Sequence, residues 1–410
     1  MFEVRPITRE EIPAFIRVHS MVYGRHPSET YHRQAQERFD EQRDIGVFDG
    51  DDLIGSSVIH DFRLTVPGGA VERAGGITNV AVRPTHRRRG ALTRLMHDHM
   101  TRLHADGIAY AMLWASESLI YNRFGYGLAT WTERWRIEQP RTTLLVPAPE
   151  AGGIDFVDAE TARAEWPDVM ARAMAGRPGF FPRNRAFWET FHEDLPEQRD
   201  GASAYFHAVY RPDGPGGRIE GYATYRVTNR WPERIFANEL RIREVMAVTD
   251  EAARALWHFL LGIDLVAEVS ADLRPLDDPL PWLLADTRRL RRLVQDGLWL
   301  RLVDVRAALE RRAYRVTDSM VIEVRDPFCD WNAGRIRLEV GPDGAHASPT
   351  KEAPDLTADA WALAAVYLGG TRPSAIAAAG RGFEAHAADA LARADAIFAT
   401  DRAPWAPVFF

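Results

Sequence analysis

One stretch in the first third of the chain constrains the fold more than any other. It reads Asn79-Val80-Ala81-Val82-Arg83-Pro84-Thr85-His86-Arg87-Arg88-Arg89-Gly90-Ala91-Leu92. The apolar residues before Arg83 predict the end of a strand, and the pattern after Gly90 predicts a helix over about 91–104. Amide groups at a helix start, together with the helix dipole, form a ready site for a pyrophosphate, and a glycine lets the backbone approach it closely. The stretch therefore predicts an α/β unit with an anion site in its turn.

This turn differs from the two commonest nucleotide-binding loops. No Gly-Lys pair followed by Ser or Thr is present, which excludes a Walker A loop, and the chain contains no Gly-x-Gly-x-x-Gly motif. An isolated run of arginines that ends in glycine is most often an ordinary basic turn. The interpretation therefore depends on the elements that surround it.

The 410-residue chain has an ordinary globular composition. At roughly 100–200 residues per domain it should hold two to four domains, and 46% apolar and 27% charged residues exclude a disordered or collagen-like chain. A net charge of −7 argues against nucleic-acid binding. No apolar run approaches the roughly 20 residues of a membrane span, and the early acidic residues argue against a secretory signal. We therefore expect a soluble cytoplasmic protein with no nucleic-acid or membrane partner.

Composition and hydrophobic pattern divide the chain into three segments. Strands over 126–138 are expected to close a first mixed α/β unit, and the proline- and glycine-containing stretch 140–155 is a plausible linker. A faint internal repeat of the first unit follows. The predicted domains are 1–143, 144–294 and 295–410, with a strand near 298–303 opening the last one. The single cysteine, Cys329, excludes an internal disulfide and a multi-cysteine zinc site.

The segment after the predicted helix supplies the missing context. A strand over 110–114 is followed by Ile120-Tyr121-Asn122-Arg123-Phe124-Gly125-Tyr126. This order of strand, arginine-rich turn, helix, strand and tyrosine segment resembles the GNAT superfamily of acetyl-CoA-dependent N-acetyltransferases. The coenzyme motif of that superfamily, Arg/Gln-x-x-Gly-x-Gly/Ala, is matched by Arg87 and Gly90, whereas Leu92 departs from it at the last position.

Within that superfamily the chain resembles the Eis (enhanced intracellular survival) family of aminoglycoside acetyltransferases. Three stretches carry the resemblance: the sequence of the arginine-rich turn, Asp296-Gly297-Leu298-Trp299-Leu300-Arg301-Leu302-Val303-Asp304-Val305, and Tyr367-Leu368-Gly369-Gly370. The resemblance implies a mixed α/β (α+β) fold with tandem GNAT-like domains followed by a sterol-carrier-protein-like α+β domain. It also implies a homo-oligomer, specifically a homohexamer.

The second domain has no arginine-glycine turn at the corresponding place. After Val248 the sequence continues Thr249-Asp250-Glu251. Two acidic residues at a helix start repel a pyrophosphate. We therefore predict one coenzyme site per chain.

The resemblance implies acetyl-CoA as co-substrate and assigns its contacts in the first domain. In the strand, Val80, Ala81 and Val82 should follow the pantetheine arm. The turn should surround the pyrophosphate with Arg87, Arg88, Arg89, Gly90 and Ala91, and Leu92 and Thr93 should open the helix. The acetyl end should be lined by Tyr121 and Asn122.

A phenol suits the role of general acid, because the departing thiolate needs a proton. Two tyrosines compete for this role. Tyr121 corresponds to the acid of much of the wider superfamily, whereas Tyr126 ends the Phe-Gly-Tyr triplet and corresponds to the acid of the Eis family. We favour Tyr126 as the catalytic acid.

The same resemblance assigns the general base to the carboxylate of the C-terminal residue, Phe410, folded back into the active site. Burial among aromatic rings such as Trp405 would make that carboxylate a stronger base. Phe409 stands where an acidic residue would help to attract polycations. The sequence therefore supports transfer to an amine more strongly than it supports an aminoglycoside as that amine.

Together these assignments predict direct transfer of acetyl from acetyl-CoA to a primary amine of an aminoglycoside or similar polyamine, without a metal. Two alternatives stay open: a protein lysine acetyltransferase, and a lipid-binding carrier in which the GNAT unit is a scaffold. His97, His99 and His104 do not have the spacing of metal ligands, and we expect them to be solvated helix residues.

Overall fold

The computed structural model describes residues 2–24, 26–232 and 235–410. Their elements fall into two units. The first contains the residues up to Thr130, Leu298–Pro404 and Phe409–Phe410, and the second contains Trp131–Gly297 and Trp405–Val408. Within the described ranges, no helix combines the length and apolar character needed to cross a membrane.

A seven-stranded sheet forms the first part of unit 1. Its strands, in spatial order, are β1 (Glu3–Pro6), β2 (Asp44–Asp49), β3 (Asp52–Thr65), β4 (Val71–Val82), β5 (Tyr110–Trp114), β14 (Leu298–Leu302) and β6 (Gly127–Leu128). Neighbouring strands are antiparallel except for β4 and β5, which run parallel. The helices that accompany this sheet are α1 (Ile12–Tyr23), α2 (Glu29–Arg38), α3 (Ala91–Ala105) and α4 (Ser118–Tyr121).

The rest of unit 1 is a smaller α+β domain. Its five-stranded sheet has the order β17 (Gly344–Pro349), β16 (Gly334–Gly341), β15 (Asp318–Arg325), β18 (Leu356–Asp359) and β19 (Phe383–Ala385). Its helices are α9 (Val305–Arg311), α10 (Ala360–Tyr367), α11 (Pro373–Ala378) and α12 (Ala390–Phe398). Every residue of α10 except Trp361 is buried, as expected for a helix that is apolar on all sides.

Unit 2 repeats the architecture of the first sheet. Its strands, in spatial order, are β13 (Arg291–Asp296), β7 (Trp131–Glu138), β12 (Val266–Arg274), β11 (Asn238–Ala247), β10 (Gly221–Val227), β9 (Phe206–Arg211) and β8 (Gly153–Val157). Again one neighbouring pair, β11 with β12, is parallel. The helices are α5 (Ala159–Ala173), α6 (Arg185–His192), α7 (Asp250–Leu261) and α8 (Leu280–Leu283). The faint sequence repeat therefore corresponds to a repeated sheet topology.

Strand β14 returns to the first sheet after unit 2, whose strands β7 to β13 are consecutive in the chain. The strand beside β5 is β14, which pairs Leu298 with Trp114 and was expected to open the third domain. The strand beside β12 is β7, which pairs Glu138 with Glu268 and was expected to close the first domain. Alternation of buried and exposed residues identifies a strand, but it does not identify the sheet that the strand joins. The limits 1–143, 144–294 and 295–410 therefore differ from the units that the structure forms.

Helix α3 forms because its apolar residues recur on one face. Its buried positions are Ala91, Leu95, Met96, His99, Met100 and Leu103, a helical spacing that places them against the sheet. The expectation that His99 is solvated is wrong, because its ring is fully buried and its Nε2 lies 2.9 Å from the Ser57 hydroxyl. His97 and His104 are exposed. The helix runs directly from the arginine-rich turn, so its packing fixes that turn against the sheet.

Candidate active site

Strands β4 and β5 separate at one end of the first sheet. Their parallel pairing covers three residues of β4 and ends with Gly76 opposite Met112. Beyond this point β4 continues to Val82 and β5 continues to Trp114 without pairing to each other. We call the opening between residues 77–82 and 113–114 the fork. On this side β4 is not paired with β5 beyond Gly76, so its edge can accommodate an extended ligand.

A bulge turns β4 at the fork. Asn79 has a φ of 53°, a left-handed conformation that is uncommon for a residue other than glycine. The pairing of β4 with β3 shifts register at the same place, and it resumes with Ala81 opposite Ser56. The Val80 carbonyl accepts a hydrogen bond from the Tyr23 hydroxyl at 3.2 Å. The predicted pantetheine segment therefore lies at the fork, and Tyr23 is an additional neighbour that the sequence did not indicate.

The turn after β4 has an unusual backbone. Arg88 has a φ of 61° and Gly90 a φ of 87°, so two left-handed residues flank Arg89. Successive amides in such a conformation can form a concave anion site. Gly90 is also the N-cap of α3, and as a glycine it has no side chain to cap this helix end. The backbone amides of Ala91, Leu92 and Thr93, at the start of α3, thus lack intrahelical acceptors.

Charge in this turn is divided between paired and unpaired arginines. Arg83 contacts Asp52 at 2.7 Å, and Arg89 contacts Asp49 at 3.3 Å. Arg87 and Arg88 are exposed, and neither forms an ion pair with a carboxylate in the described part of the chain. Two free guanidinium groups beside open helix amides form a site suited to a pyrophosphate.

The tyrosine segment forms a compact turn that holds both candidate acids. Tyr121 ends α4, and a turn of 3-10 helix leads to Gly125, which has a φ of 83°. The Asn122 side-chain amide donates to the Tyr126 carbonyl at 2.8 Å, so this side chain stabilises the turn. The two tyrosine rings meet edge to face with centroids 5.9 Å apart. The turn therefore fixes both phenols in one cluster.

The two phenols differ in their surroundings. Burial raises the pKa of Tyr121 to about 12, while an interaction with the Ser116 side chain opposes that shift. Burial raises the pKa of Tyr126 well above its usual value, and the charge of Arg301 acts in the opposite direction. The Tyr126 hydroxyl is fully buried and has no hydrogen-bond partner among the described residues. A buried hydroxyl of this kind is unusual in proteins and is available to a transient partner.

The end of the chain reaches the base of the fork. The Phe410 ring packs against Phe62 of β3 with ring centroids 4.9 Å apart. A Cβ atom built on Gly76 would lie 3.1 Å from the Phe410 ring. Because Gly76 is the last residue of β4 that pairs with β5, Phe410 lies where the two strands separate.

The residues before Phe410 are held as the sequence predicts for an aromatic tail. Trp405, in unit 2, is buried and donates from its indole nitrogen to the Leu273 carbonyl at 2.8 Å. Phe409, in unit 1, is 66% exposed, and its ring centroid lies 5.3 Å from that of Trp114. Both Trp405 and Phe409 thus make side-chain contacts, so the tail is packed rather than free.

Two neighbours of the fork escaped sequence analysis. His60 lies opposite Gly76 on β3, and burial lowers its pKa to about 4, so the imidazole is neutral near pH 7. Arg301 reaches the Tyr126 turn from β14, far away in sequence. No pattern in β3, where polar residues are frequent, singles out the first. The second lies in the 296–305 stretch that carries the family resemblance, but nothing in that stretch indicates its contact with the turn.

The corresponding helix start in unit 2 is closed. The Thr249 side chain caps α7 by accepting from the Ala252 amide at 3.1 Å. Asp250 and Glu251 occupy the first turn. The start of α7 is thus capped and acidic, whereas the start of α3 is open and basic. That each chain has one coenzyme site stays a prediction, and this difference favours it.

Family models match three consecutive parts of the chain. An acetyltransferase (GNAT) domain model matches residues 3–129, a second acetyltransferase (GNAT) domain model matches 179–316, and a sterol carrier protein domain model matches 305–407. The predicted order of domain types is therefore confirmed.

Curated relatives extend the match over most of the chain. An uncharacterized N-acetyltransferase of Streptomyces coelicolor is 40% identical over 377 residues, which are 89% of each chain. N-acetyltransferase Eis of Mycobacterium tuberculosis is 36% identical over 364 residues, covering 87% of this chain and 85% of the relative. The chain belongs to the Eis family of GNAT N-acetyltransferases. It is an N-acetyltransferase, and the GNAT fold supports acetyl-CoA as its co-substrate.

Solved structures agree with the Eis family assignment. Eis1 from Mycobacterium abscessus has a TM-score of 0.87 at 33% identity, with full coverage of both chains. A GCN5-related N-acetyltransferase from Anabaena variabilis has a TM-score of 0.86 at 20% identity, also with full coverage, and shares the fold. In the described part of this Eis family chain, no group of three or more His, Cys, Asp or Glu side chains is arranged to hold a metal ion.

Proposed function

We propose that the enzyme binds acetyl-CoA along the fork and transfers its acetyl group directly to a primary amine. The observation that carries this proposal is the convergence of three separate segments at one place. The unpaired end of β4 and the Phe410 ring meet at the fork, and Tyr126 shares a buried apolar cluster with Ile77 and Leu113, which border the fork. A thioester held between them would have an acid and a base within one site.

Coenzyme binding would use the residues predicted from the sequence. Val80, Ala81 and Val82 would follow the pantetheine arm. The pyrophosphate would lie on the open amides and free guanidinium groups of the turn, formed by Arg87, Arg88, Arg89, Gly90, Ala91, Leu92 and Thr93. The Tyr23 hydroxyl, which already contacts the Val80 carbonyl, would flank the arm. Tyr121 and Asn122 would border the acetyl end.

The chemistry then needs proton transfers at the amine and at the sulfur. The Phe410 carboxylate would take a proton from the ammonium form of the substrate and release it to solvent, and the free amine would attack the thioester carbonyl. The proton that the attacking nitrogen then loses would go to the same carboxylate. As the carbon–sulfur bond breaks, Tyr126 would give its proton to the departing thiolate. No acetyl-enzyme intermediate is needed, because the amine reacts with the bound thioester itself.

A pair of conservative variants tests the acid. Tyr126→Phe removes a hydroxyl that has no partner among the described residues, so the fold should tolerate it, while the turnover number should fall by about 10²–10⁴-fold. Acetyl-CoA affinity should change little. Tyr121→Phe is the matched control, since it removes the other phenol of the same cluster. A larger loss from Tyr121→Phe, measured as thiol release, would transfer the role of acid to Tyr121.

The substrate class and the assembly rest on the family resemblance. We propose a primary amine of an aminoglycoside or a similar polyamine as acceptor, in a cytoplasmic homohexamer. The exposed Phe409 side chain adds apolar surface beside Trp114 rather than charge, so an acceptor with apolar as well as cationic groups suits this site. Thiol release measured with a panel of aminoglycosides, polyamines and lysine peptides ranks these acceptors directly.

A further inference from the structure

A buried ion pair lies behind the Tyr126 turn. Arg301 of β14 and Asp326, which follows β15, are almost completely buried, and the guanidinium Nη2 donates to the Asp326 carboxylate. That carboxylate also accepts from the Asn332 side-chain amide at 2.9 Å and from the Cys329 backbone amide at 3.0 Å. Asp326 is therefore fixed from several directions, and it fixes Arg301 in turn.

The guanidinium group is only partly satisfied by these contacts. Its Nε and Nη1 atoms are buried and have no hydrogen-bond acceptor among the described residues, although the Cys329 side chain also interacts with the guanidinium group. Nη1 lies directly against Gly125, so that a methyl group on this glycine would overlap it. Tyr126 follows Gly125 directly, and its hydroxyl is also buried without a partner among the described residues. Native proteins seldom leave several buried polar groups without partners at one place, and such a cluster calls for an explanation.

The proposed reaction supplies that explanation. When Tyr126 protonates the leaving thiolate, its O–H bond breaks, an S–H bond forms and the negative charge passes from sulfur to the phenol oxygen. A phenolate in a buried site needs a nearby cation or hydrogen-bond donors. The titratable groups that face Tyr126 are Arg301, Tyr121 and Cys329, and of these only Arg301 is charged at neutral pH. Solvent would return the proton to Tyr126 before the next turnover.

We propose that Arg301, held by Asp326, is a positioning residue that stabilises the phenolate of Tyr126 during acetyl transfer. The proposal rests on the proposed function, because it requires Tyr126 to be the acid. It gives the sterol-carrier-like domain a part in catalysis, since Asp326 lies in the segment matched by that model. The same segment packs Phe328 edge to face on Phe124, with centroids 5.0 Å apart, beside the tyrosine turn.

The test replaces both members of the pair, because removal of Arg301 alone would leave Asp326 as an uncompensated buried charge. In Arg301→Gln/Asp326→Asn the pair becomes neutral; Asn has the size of Asp, and Gln is a shorter polar replacement for Arg. We expect the turnover number to fall by about 10- to 100-fold, a part of the usual contribution of general acid catalysis. The KM for acetyl-CoA should stay unchanged, and the solvent deuterium isotope effect on turnover should rise because proton transfer becomes slower.

A matched control and a combined variant separate this role from a structural one. Arg183→Gln/Glu244→Gln neutralises a buried pair of unit 2 in the same way and should leave the isotope effect unchanged. Added to Tyr126→Phe, the Arg301→Gln/Asp326→Asn change should cause no further loss of turnover. An equal loss with and without Tyr126 would overturn the proposal, as would full turnover of the pair variant.

Failure of the acid assignment gives a different result. If Tyr126→Phe retains full turnover, Tyr126 is not the acid and the inference falls with it. If Tyr126→Phe is slow but the pair variant is not, the inference alone is wrong. Should the pair variant not fold, Arg301→Lys replaces it. This variant keeps the charge without the forked donors, and we expect a roughly three- to tenfold loss that disappears when Tyr126→Phe is combined with it.

Discussion

A methyl group added at Gly76 should disturb catalysis through the chain terminus. A Cβ atom at this position would overlap the Phe62 ring and lie 3.1 Å from the Phe410 ring. Non-bonded carbon atoms prefer separations of about 3.5–4.0 Å, so the Phe410 ring would have to retreat by about 0.4–0.9 Å. Misplacement of a reacting group by about 1 Å can cost about 100-fold in rate. We therefore expect Gly76→Ala to lower the turnover number by roughly 10- to 100-fold.

The neighbouring glycine provides the control for this variant. A Cβ atom on Gly75 would meet the Leu103 side chain of α3 at 2.7 Å rather than the chain terminus. Both substitutions overpack the interior, which typically costs about 1–3 kcal/mol of unfolding free energy. Gly75→Ala should therefore match Gly76→Ala in stability loss, measured by urea denaturation, but keep most of its turnover. Equal turnover losses in the two folded variants, or none in Gly76→Ala, would refute the reasoning.

Three further predictions concern the coenzyme turn and the stability of each unit. Arg88→Glu/Gly90→Val should weaken acetyl-CoA binding, measured by calorimetry, because it adds a repelling charge and places a branched residue at a φ of 87°. Burial lowers the pKa of His192 to about 4, and neither ring nitrogen has a partner in the described structure. As the pH falls below about 6.5, the unfolded state takes up a proton on this histidine before the folded state does, so the free energy of unfolding decreases towards pH 4. His192→Phe should reduce this decrease, measured by urea titrations at several pH values. The buried Arg312 donates to the last carbonyls of α10 and α12, and Arg312→Met should lower the unfolding free energy by about 3 kcal/mol, measured by urea denaturation.

Local patterns predicted the local parts of the site. The turn from Arg87 to Gly90 could be recognised because strand, arginines, glycine and helix follow one another directly in the sequence. The aromatic tail could be predicted to pack because apolar residues such as Trp405 are costly to expose. For the turn, the residues that form it follow one another in the chain; for the tail, the sequence indicates that it packs but not that it packs on Phe62, Trp114 and Leu273.

Long-range pairing accounts for what the sequence did not indicate. Leu298 pairs with Trp114 across more than 180 residues of chain, so no window of sequence contains both strands. Arg301 lies on the same strand as Leu298, and its buried partner Asp326 follows β15, a strand of a different sheet. The burial of His99 likewise depends on Ser57, which lies on a strand 42 residues earlier. These contacts are fixed by tertiary packing rather than by residue pattern.

The most direct test of the proposed site is thiol release by chains extended at one end. Residues appended after Phe410 would replace its terminal carboxylate by a peptide bond at the base of the fork, whereas residues added before Met1 leave that carboxylate intact. With acetyl-CoA and a primary amine, we predict that the chain extended after Phe410 folds and binds acetyl-CoA normally but loses most of its turnover, while the other retains it. Full turnover by a folded chain extended after Phe410 would contradict the assignment of the base.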